Sequence, residues 1–275
     1  MSHEKMNTNK GVSDWWSTDI IEMAPGIIRF RGQPVQDLIG KFSFAQMIWY
    51  MVLGDELSPA KAKLFEASLV APVDHGPQAP SIAISRMAST CGIGLNNAMA
   101  SAINVLGDAH GGAGEQCVEL FEFVNSKKKD GLSLEEATRT GLDEYIVEHG
   151  KYLPGYGHRF HKPVDPRTPV LMKMVDEAAK QGEVSGDYAA IGRQIEKELA
   201  DRRGGRSVPM NVDGSTAVIY AELGVPAPLA RGFFCLSRSV GILAHAWEQS
   251  QQNVRNKGPI PRDYLPTYTG KKFEG

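Results

Sequence analysis

Apolar residues recur at helical spacing along most of this chain. After Ser43, a favourable N-cap, they fall on one face of a segment that ends at Gly54. Ser58 and Pro59 then open a second segment with the polar cap and first-turn proline that helix starts favour. The pattern predicts two consecutive helices in this part of the chain.

The helical pattern continues further along the chain. Ser133 and Glu136 form a capping-box pair before an apolar-periodic segment that ends near Gly150. Another helix is predicted from Thr168-Pro169 to a stop at Gly182. One more is marked by Ile191, Ile195 and Leu199.

Strand patterns are few by comparison. The clearest covers residues 27–30, and turn residues Gly32 and Pro34 follow it. No repeat of 20–50 residues interrupts the helical pattern. We therefore predict an all-α fold class.

Two stretches carry small or apolar residues on nearly every face. Residues 91–106 are rich in Gly, Ala and Ser, which let backbones pack closely. Residues 229–247 are apolar apart from arginine and histidine. We expect both stretches to be helices buried on most sides, in a core or at a subunit interface.

Length and composition fit a globular protein with one core or two closely joined ones. Of 275 residues, 42% are apolar and 23% are charged. The net charge of −2 provides no global field for nucleic acid or an anionic membrane, so neither partner is expected. Residues 1–10 lack the apolar stretch of a signal peptide, and no apolar run is long enough to span a bilayer. A disulfide framework is not indicated by the three widely spaced cysteines, and the expected location is cytoplasmic.

Several common catalytic motifs are absent from the sequence. It contains no Walker A loop, no Gly-x-Ser-x-Gly elbow and no Gly-x-Gly-x-x-Gly after a strand. His158 and His161 are three residues apart, but a histidine pair without a third ligand nearby is weak evidence for zinc. No metal site is predicted.

Two histidines lie beside glycines. Gly111 and Gly112 follow His110, and Gly155-Tyr156-Gly157 precedes His158. Each histidine alone reads as a loop residue at a helix end. Glycine neighbours, however, let a ligand or another backbone approach the ring, and their N–H groups can bind anions.

Charged residues near apolar segments give further candidates, each with an ordinary alternative. Asp213 directly precedes an apolar helix and alone reads as its N-cap. Arg238 lies within an apolar helix and needs either an internal acid or a bound carboxylate. Arg167 reads as a solvated turn residue and His75 as an undistinguished loop residue, unless a site uses them.

The combination of these residues is more specific than any one of them. Imidazoles, one carboxylate, arginines and glycine loops, without a nucleophile motif, suit proton transfer beside a carbonyl. Arginine binds carboxylates through its planar fork. The residues alone therefore favour an acid–base enzyme that acts on a polycarboxylate.

Eight motifs occur in a characteristic order, at residues 26–38, 54–57, 74–76, 110–113, 155–159, 165–167, 211–213 and 237–238. In this order they resemble the citrate synthase superfamily along nearly the whole chain. The resemblance implies an all-α homodimer with a large domain, residues 1–111 and 223–275, and a smaller mobile domain, residues 112–222. It also places residues 91–106 at the dimer interface.

The resemblance implies roles for six residues. Asp213 would exchange a proton with the acetyl carbon of an acyl-CoA. His110 would stabilise the enolate oxygen, and His158 would handle the proton on the carbonyl or hydroxyl oxygen of the second substrate. Contacts to substrate carboxylates would come from His75, Arg167 and Arg238.

Coenzyme A enters as part of a thioester substrate, and no tightly bound cofactor is implied. By the same resemblance its binding loop would contain Gly155, Tyr156 and Gly157, with Lys162 placed to meet a phosphate. The arginines of residues 202–206 are a weaker candidate for phosphate contact, since a solvated loop is the simpler explanation.

Departures from the synthase pattern favour cleavage over condensation. Gly214 and Ser215 follow the aspartate, and Asn-Val-Asp-Gly is similar to the citryl-CoA lyase module of ATP-citrate lyase. Ile260, in place of a synthase arginine, precedes Pro261. The resemblance thus favours a lyase for citryl-CoA, or for a similar 3-hydroxy-3-carboxyacyl-CoA, that releases acetyl-CoA and oxaloacetate. The alternatives are a citrate or 2-methylcitrate synthase and a non-catalytic acyl-CoA or carboxylate sensor.

Overall fold

The computed structural model describes residues 15–158 and 160–273. The predictions that rest on residues 1–10 and on Arg159 of the 155–159 motif lie outside the described residues. The chain divides into two compact units, residues 1–66 and residues 67–275. The large and small domains that the resemblance implies stay a prediction.

The first unit contains a small antiparallel sheet and short helices. The strands, in the order β1-β2-β3, are Ile21–Ala24, Ile27–Phe30 and Gln33–Pro34. The helices are α1 (Val35–Leu38), α2 (Phe44–Leu53) and the first part of α3 (Pro59–Val70). The predicted strand and both predicted helices are confirmed. Ser43 caps α2 in a capping box with Gln46, and Gly54 ends it in the left-handed conformation.

Helices make up nearly all the regular structure of the second unit. They are α4 (Pro80–Ser89), α5 (Leu95–Ile103), α6 (Ala113–Lys129), α7 (Leu134–His149), α8 (Thr168–Lys180), α9 (Asp187–Asp201), α10 (Val212–Glu222) and α11 (Ala227–Gln251). The predicted capping box at Ser133 is present, and α8 begins at Thr168 as expected. The all-α fold class is confirmed.

Helix α6 lies at the centre of this unit. It packs against α7, α9, α10 and α11, and α11 also packs along α4 and α5. Helix α10 is buried at every residue from Gly214 to Ala221. Because α10 and α11 both pack on α6, the first turn of α10 and the middle of α11 can border one cavity.

The predicted helix at residues 91–106 is wrong in length, and it is not buried within the single chain. Helix α5 begins only at Leu95, because Gly92 has a positive φ of 85° and Gly94 is the N-cap. Residues 91–94 are exposed, and only Ala98 and Ala102 are buried within α5. In this chain the stretch is therefore a half-exposed helix, and its place at a dimer interface stays a prediction.

Helix α11 also departs from the expectation of burial on most sides. It spans the whole predicted stretch, but it carries an exposed apolar stripe at three- and four-residue spacing. The stripe consists of Leu236, Val240, Leu243 and Trp247. Among the described residues, no helix combines the length and apolar character that a bilayer span requires.

Candidate active site

One cavity of about 390 Å³ in the second unit is bordered by residues from several separate segments of the chain. Its walls come from α4, α10 and α11 and from the loops before α4, α6 and α8. All six residues with predicted catalytic or carboxylate-binding roles line it: His75, His110, His158, Arg167, Asp213 and Arg238. The fold thus brings these side chains together around one space.

Asp213 occupies the first turn of α10 with its carboxylate uncommitted. The N-cap of α10 is Asn211, whose Oδ1 accepts from the N–H groups of Asp213 at 2.9 Å and of Gly214 at 3.2 Å. The alternative that Asp213 itself caps the helix is therefore wrong. Within the described part of the chain, its carboxylate makes no hydrogen bond or ion pair. Burial raises the pKa of Asp213 despite the opposing charges of Arg238 and Arg167.

His110 lies just before α6 and is oriented by the first turn of α4. The Ser81 backbone N–H donates to His110 Nε2 at 3.2 Å, and Ser81 Oγ lies 3.0 Å from the same atom. A backbone N–H can only donate, so Nε2 is the acceptor and the ring proton is on Nδ1. Burial, together with Arg238, lowers the pKa of His110, so the ring is a neutral donor.

His158 has the opposite arrangement of its two ring nitrogens. Its Nδ1 accepts from the backbone N–H groups of Phe160 and His161, each at 3.0 Å. The ring proton is therefore on Nε2. Burial and the neighbouring His161 and His75 lower the pKa of His158. The neutral ring thus offers an N–H donor, whereas acceptance of a proton at Nε2 would first require loss of the proton already there.

The loop that carries His158 is fastened to the start of α10. Asn211 Nδ2 donates to the Gly157 carbonyl at 2.7 Å, and the Asn211 N–H donates to the Gly155 carbonyl at 2.9 Å. A Cβ on Gly155 would lie 2.6 Å from Cys117 Sγ, and a Cβ on Gly214 would collide with the Gly155 carbonyl oxygen. Glycine at both positions is needed for this close approach.

Arg167 is held by Asp165, which is not among the predicted site residues. Arg167 Nε and Nη2 donate to the two Asp165 carboxylate oxygens at 2.9 and 2.8 Å, and Val212 N–H donates to Oδ2 at 3.2 Å. Burial opposes ionisation of Asp165, which is 1% exposed, but the hydrogen bonds from Arg167 and Val212 lower its pKa to about 2. Arg167 is therefore an anchored residue, and its interpretation as a solvated turn residue is wrong.

Substitution of Asp165 by asparagine is expected to lower the free energy of unfolding by about 2 kcal/mol at neutral pH. The pKa of Asp165 falls from 3.8 to about 2 on folding, so its contribution is present above pH 3.8 and is lost as pH falls toward 2. Urea unfolding of wild type and Asp165→Asn should therefore converge in that range. Asp143→Asn, which breaks an exposed ion pair with Arg202, should change stability by less than about 1 kcal/mol. A stability gap between wild type and Asp165→Asn that stays constant with pH would contradict the ionic role.

Arg238 is a buried cation without a carboxylate partner in the described chain. The residue is 6% exposed, its Nε donates to the Pro72 carbonyl at 3.0 Å, and its guanidinium lies 4.9 Å from the Phe234 ring centroid. No described acid lies within 4.0 Å of it. Burial lowers the pKa of Arg238, although Asp213 and Asp74 act against this. Of the two partners expected for this charge, the internal acid is absent from the described residues.

Three imidazoles meet at one side of the cavity. The His158 ring centroid lies 5.2 Å from that of His75 and 4.3 Å from that of His161, and one ring nitrogen from each lies within 4.8 Å of the others. His75 thus supplies the third neighbour that the pair in the sequence lacks. Metal-binding histidines normally donate their second N–H to an acceptor, whereas His158 Nδ1 faces two donors. This hydrogen bonding fits an N–H donor better than a metal ligand.

None of the four residues predicted to bind coenzyme A lines the cavity. Tyr156 donates its hydroxyl to the Gly192 carbonyl at 2.9 Å, so this hydroxyl is used within the protein. Lys162 is exposed. Arg202 is paired with Asp143 and Glu198, each at 2.8 Å. The coenzyme A roles of Gly155, Tyr156, Gly157 and Lys162 stay predictions.

Comparison with known proteins gives one consistent family. The family model described as citrate synthase, C-terminal domain, matches residues 28–262. A citrate synthase of Acidithiobacillus ferridurans is 30% identical over 252 residues, 89% of this chain and 60% of that protein. A citrate synthase of Deinococcus radiodurans is 32% identical over 227 residues, 81% of this chain and 57% of that protein. This chain therefore spans about 60% of the length of these curated relatives.

A solved structure is similar over a larger share of both chains. The structure of citryl-CoA lyase from Hydrogenobacter thermophilus has a TM-score of 0.80 and 31% sequence identity, and the match covers 95% of this chain and 97% of that one.

Proposed function

This chain belongs to the citrate synthase family, and on that premise we propose that it is a citryl-CoA lyase, which cleaves citryl-CoA or a similar 3-hydroxy-3-carboxyacyl-CoA to acetyl-CoA and oxaloacetate. The observation that carries the proposal is the meeting of an uncommitted acid, Asp213, with two oppositely oriented neutral imidazoles around one cavity. Acid–base groups of this kind suffice for a retro-aldol cleavage. Coenzyme A takes part as the substrate thioester, and no tightly bound cofactor is needed for this step.

The first step breaks the carbon–carbon bond beside the hydroxyl-bearing carbon. The hydroxyl loses its proton, its oxygen becomes the oxaloacetate carbonyl, and the bonding electron pair passes to the acetyl thioester as an enolate. His158 donates its Nε2–H to the oxygen that becomes the carbonyl. The resemblance has His158 handle the proton on this oxygen, and here it acts as the hydrogen-bond donor and not as the acceptor of the proton, because Nε2 already carries a proton. The His75 ring, which makes no hydrogen bond to a described residue, is the neighbouring group that can accept it.

The second step returns a proton to carbon. His110 donates its Nδ1–H to the enolate oxygen, which lowers the energy of the developing negative charge. Asp213 in its protonated form gives its proton to the enolate carbon, and the product is acetyl-CoA. The raised pKa of Asp213 suits this role, because at a given pH a larger fraction of Asp213 is protonated than of an exposed aspartate. Arg238 and Arg167 would hold the substrate carboxylates.

Condensation of acetyl-CoA with oxaloacetate by the same residues is the second candidate. The curated relatives named citrate synthase, at 30% and 32% identity, favour it. The similarity to citryl-CoA lyase over 95% of this chain and 97% of that one supports cleavage. The sequence Asn-Val-Asp-Gly at residues 211–214, which is similar to the citryl-CoA lyase module of ATP-citrate lyase, supports cleavage as well.

The test is an assay of the purified protein in both directions. With citryl-CoA, we expect oxaloacetate to appear, detected as NADH consumption by added malate dehydrogenase. With acetyl-CoA and oxaloacetate, a synthase would instead release the free thiol of coenzyme A together with citrate. Rapid thiol release without cleavage of citryl-CoA would show a synthase and not a lyase. If neither citryl-CoA nor the pair of acetyl-CoA and oxaloacetate is turned over, the sensor hypothesis is the one that remains.

Assembly and location belong to the same proposal. The exposed apolar stripe of α11, Leu236 to Trp247, supports a homodimer, because large apolar patches on a protein surface usually mark contact sites. The three cysteines are an odd number at wide spacings in the sequence, which is the pattern on which the cytoplasmic location rests. Both features stay predictions.

A further inference from the structure

One face of α11 runs along the chain segment that carries His75. Arg238, Gly241 and His245 are spaced by three and four residues, so they share this face of the helix. Arg238 donates to the Pro72 carbonyl at 3.0 Å. Gly241 leaves room for the Val73 carbonyl, with which any Cβ at this position would collide. Successive turns of the helix therefore pack closely against residues 72–74.

His245 makes the last of these contacts, to Asp74. Its Nε2 lies 3.2 Å from Asp74 Oδ1, and Arg86 Nη1 lies 2.9 Å from its Nδ1. Because arginine can only donate, Nδ1 is the acceptor and the proton is on Nε2, directed at Asp74. The tautomer of His245 is thus fixed by Arg86.

Arg86 is itself held in place. Its Nε donates to Gln249 Oε1 at 3.1 Å, and its Nη1 also pairs with Glu248. Both partners lie on α11 within four residues of His245. The chain of contacts from α4 through Arg86 and His245 to Asp74 has a defined donor and acceptor at every link.

The Asp74 side chain also binds the backbone of the residue that follows His75. Its Oδ2 accepts from the Gly76 N–H at 3.1 Å, which forms a tight turn with His75 in the middle. Burial raises the pKa of Asp74, but the hydrogen bonds from His245 and Gly76 outweigh this effect and lower it. The carboxylate is therefore ionised, and its two oxygens fix the turn from both directions.

We propose that His245 is a positioning residue for His75, acting through Asp74. The inference rests on the proposed function, in which His75 contacts the substrate and accepts its hydroxyl proton. His245 does not line the cavity, whereas His75 does. The donor on His245 Nε2 sets the orientation of the 74–76 turn and hence of the imidazole at its centre.

The experiment compares three variants by two independent measurements. His245→Ala removes the donor, and His245→Gln keeps an amide N–H at a similar reach. His149→Ala is the matched control, because His149 ends its helix beside Glu148 and does not line the cavity. The first measurement is hydrogen exchange at the Gly76 amide without ligand. The second is kcat and KM for citryl-CoA.

For His245→Ala we expect exchange at Gly76 to be about tenfold faster and KM to rise about tenfold, since a lost charge-assisted hydrogen bond changes an equilibrium by at least this factor. kcat should fall as well, because the displaced ring is the group that accepts the hydroxyl proton. His245→Gln should recover most of these losses, and His149→Ala should match wild type.

Two results would overturn the proposal. One is wild-type exchange and KM in His245→Ala, and the other is a His245→Gln variant as impaired as His245→Ala, because the donor would then be irrelevant. If the wild-type protein fails to cleave citryl-CoA, the proposed function fails, yet the exchange comparison still decides the positioning role.

Discussion

Replacement of Asp213 by asparagine should lower kcat for citryl-CoA cleavage on the order of 10³-fold, with little change in coenzyme A binding. Asparagine keeps the size and polarity of the side chain but cannot give a carboxylic proton to the enolate carbon. Asn211, and not Asp213, caps α10, so the helix should stay intact in the variant. The loss is therefore expected in turnover and not in folding.

The measurement is steady-state kinetics together with calorimetric titration of coenzyme A. Asp176→Asn serves as the matched control, because Asp176 is an exposed carboxylate paired with Arg193 and lies outside the cavity. It should retain wild-type kcat. An Asp213→Asn variant with kcat within threefold of wild type would remove Asp213 from the mechanism.

Replacement of Arg238 by methionine should have opposite effects on substrate affinity and on stability. We expect KM for citryl-CoA to rise about 100-fold, because truncation of one partner of a buried charge pair costs about 2–5 kcal/mol. Without ligand, however, Arg238 is a buried cation with no acid within 4.0 Å in the described chain. An apolar side chain of similar volume should leave the free energy of unfolding unchanged or raise it.

Kinetics and urea unfolding, with and without oxaloacetate, test both halves of this expectation. Oxaloacetate should stabilise the wild type and not Arg238→Met. The control is Arg193→Met, which removes an arginine from an ion pair with Asp176 outside the cavity and should leave KM unchanged. Two results would contradict this expectation: an Arg238→Met variant with wild-type KM, or one that loses several kcal/mol of stability without ligand. Either would mean that Arg238 stabilises the fold and does not bind the substrate.

Features that depend on neighbouring residues could be predicted from the sequence. The caps at Ser43 and Ser133 act within one helical turn, and the sequence pattern therefore locates both helices correctly. The same local logic misplaces the cap of α10. Asn211 and Asp213 are both good capping residues two positions apart, and only the backbone geometry decides between them.

Contacts between segments that are distant in the sequence could not be predicted from the spacing of residues along the chain. Ser81 orients His110 across 29 residues, and Asp165 reaches the Val212 N–H across 47. A serine in the first turn of a helix, or an aspartate before a proline, is common in any sequence and marks neither role. The six site residues could be predicted because motifs and resemblance name residue types, whereas their supporting partners depend on how helices pack.

Burial was the property that local sequence predicted least well. An apolar helix such as α11 reads as a core element, yet its stripe from Leu236 to Trp247 is exposed in the single chain. Residue type alone does not tell whether a helix covers its apolar face within one chain or against a second one.

The side chain of Asn211 couples two parts of the cavity wall. Its Oδ1 holds the first turn of the acid-bearing helix, while its Nδ2 holds the backbone of the loop that ends in His158. Loss of this one side chain should therefore loosen the backbone beside both the acid and this imidazole, because neither hydrogen bond has a substitute within Asn211 itself.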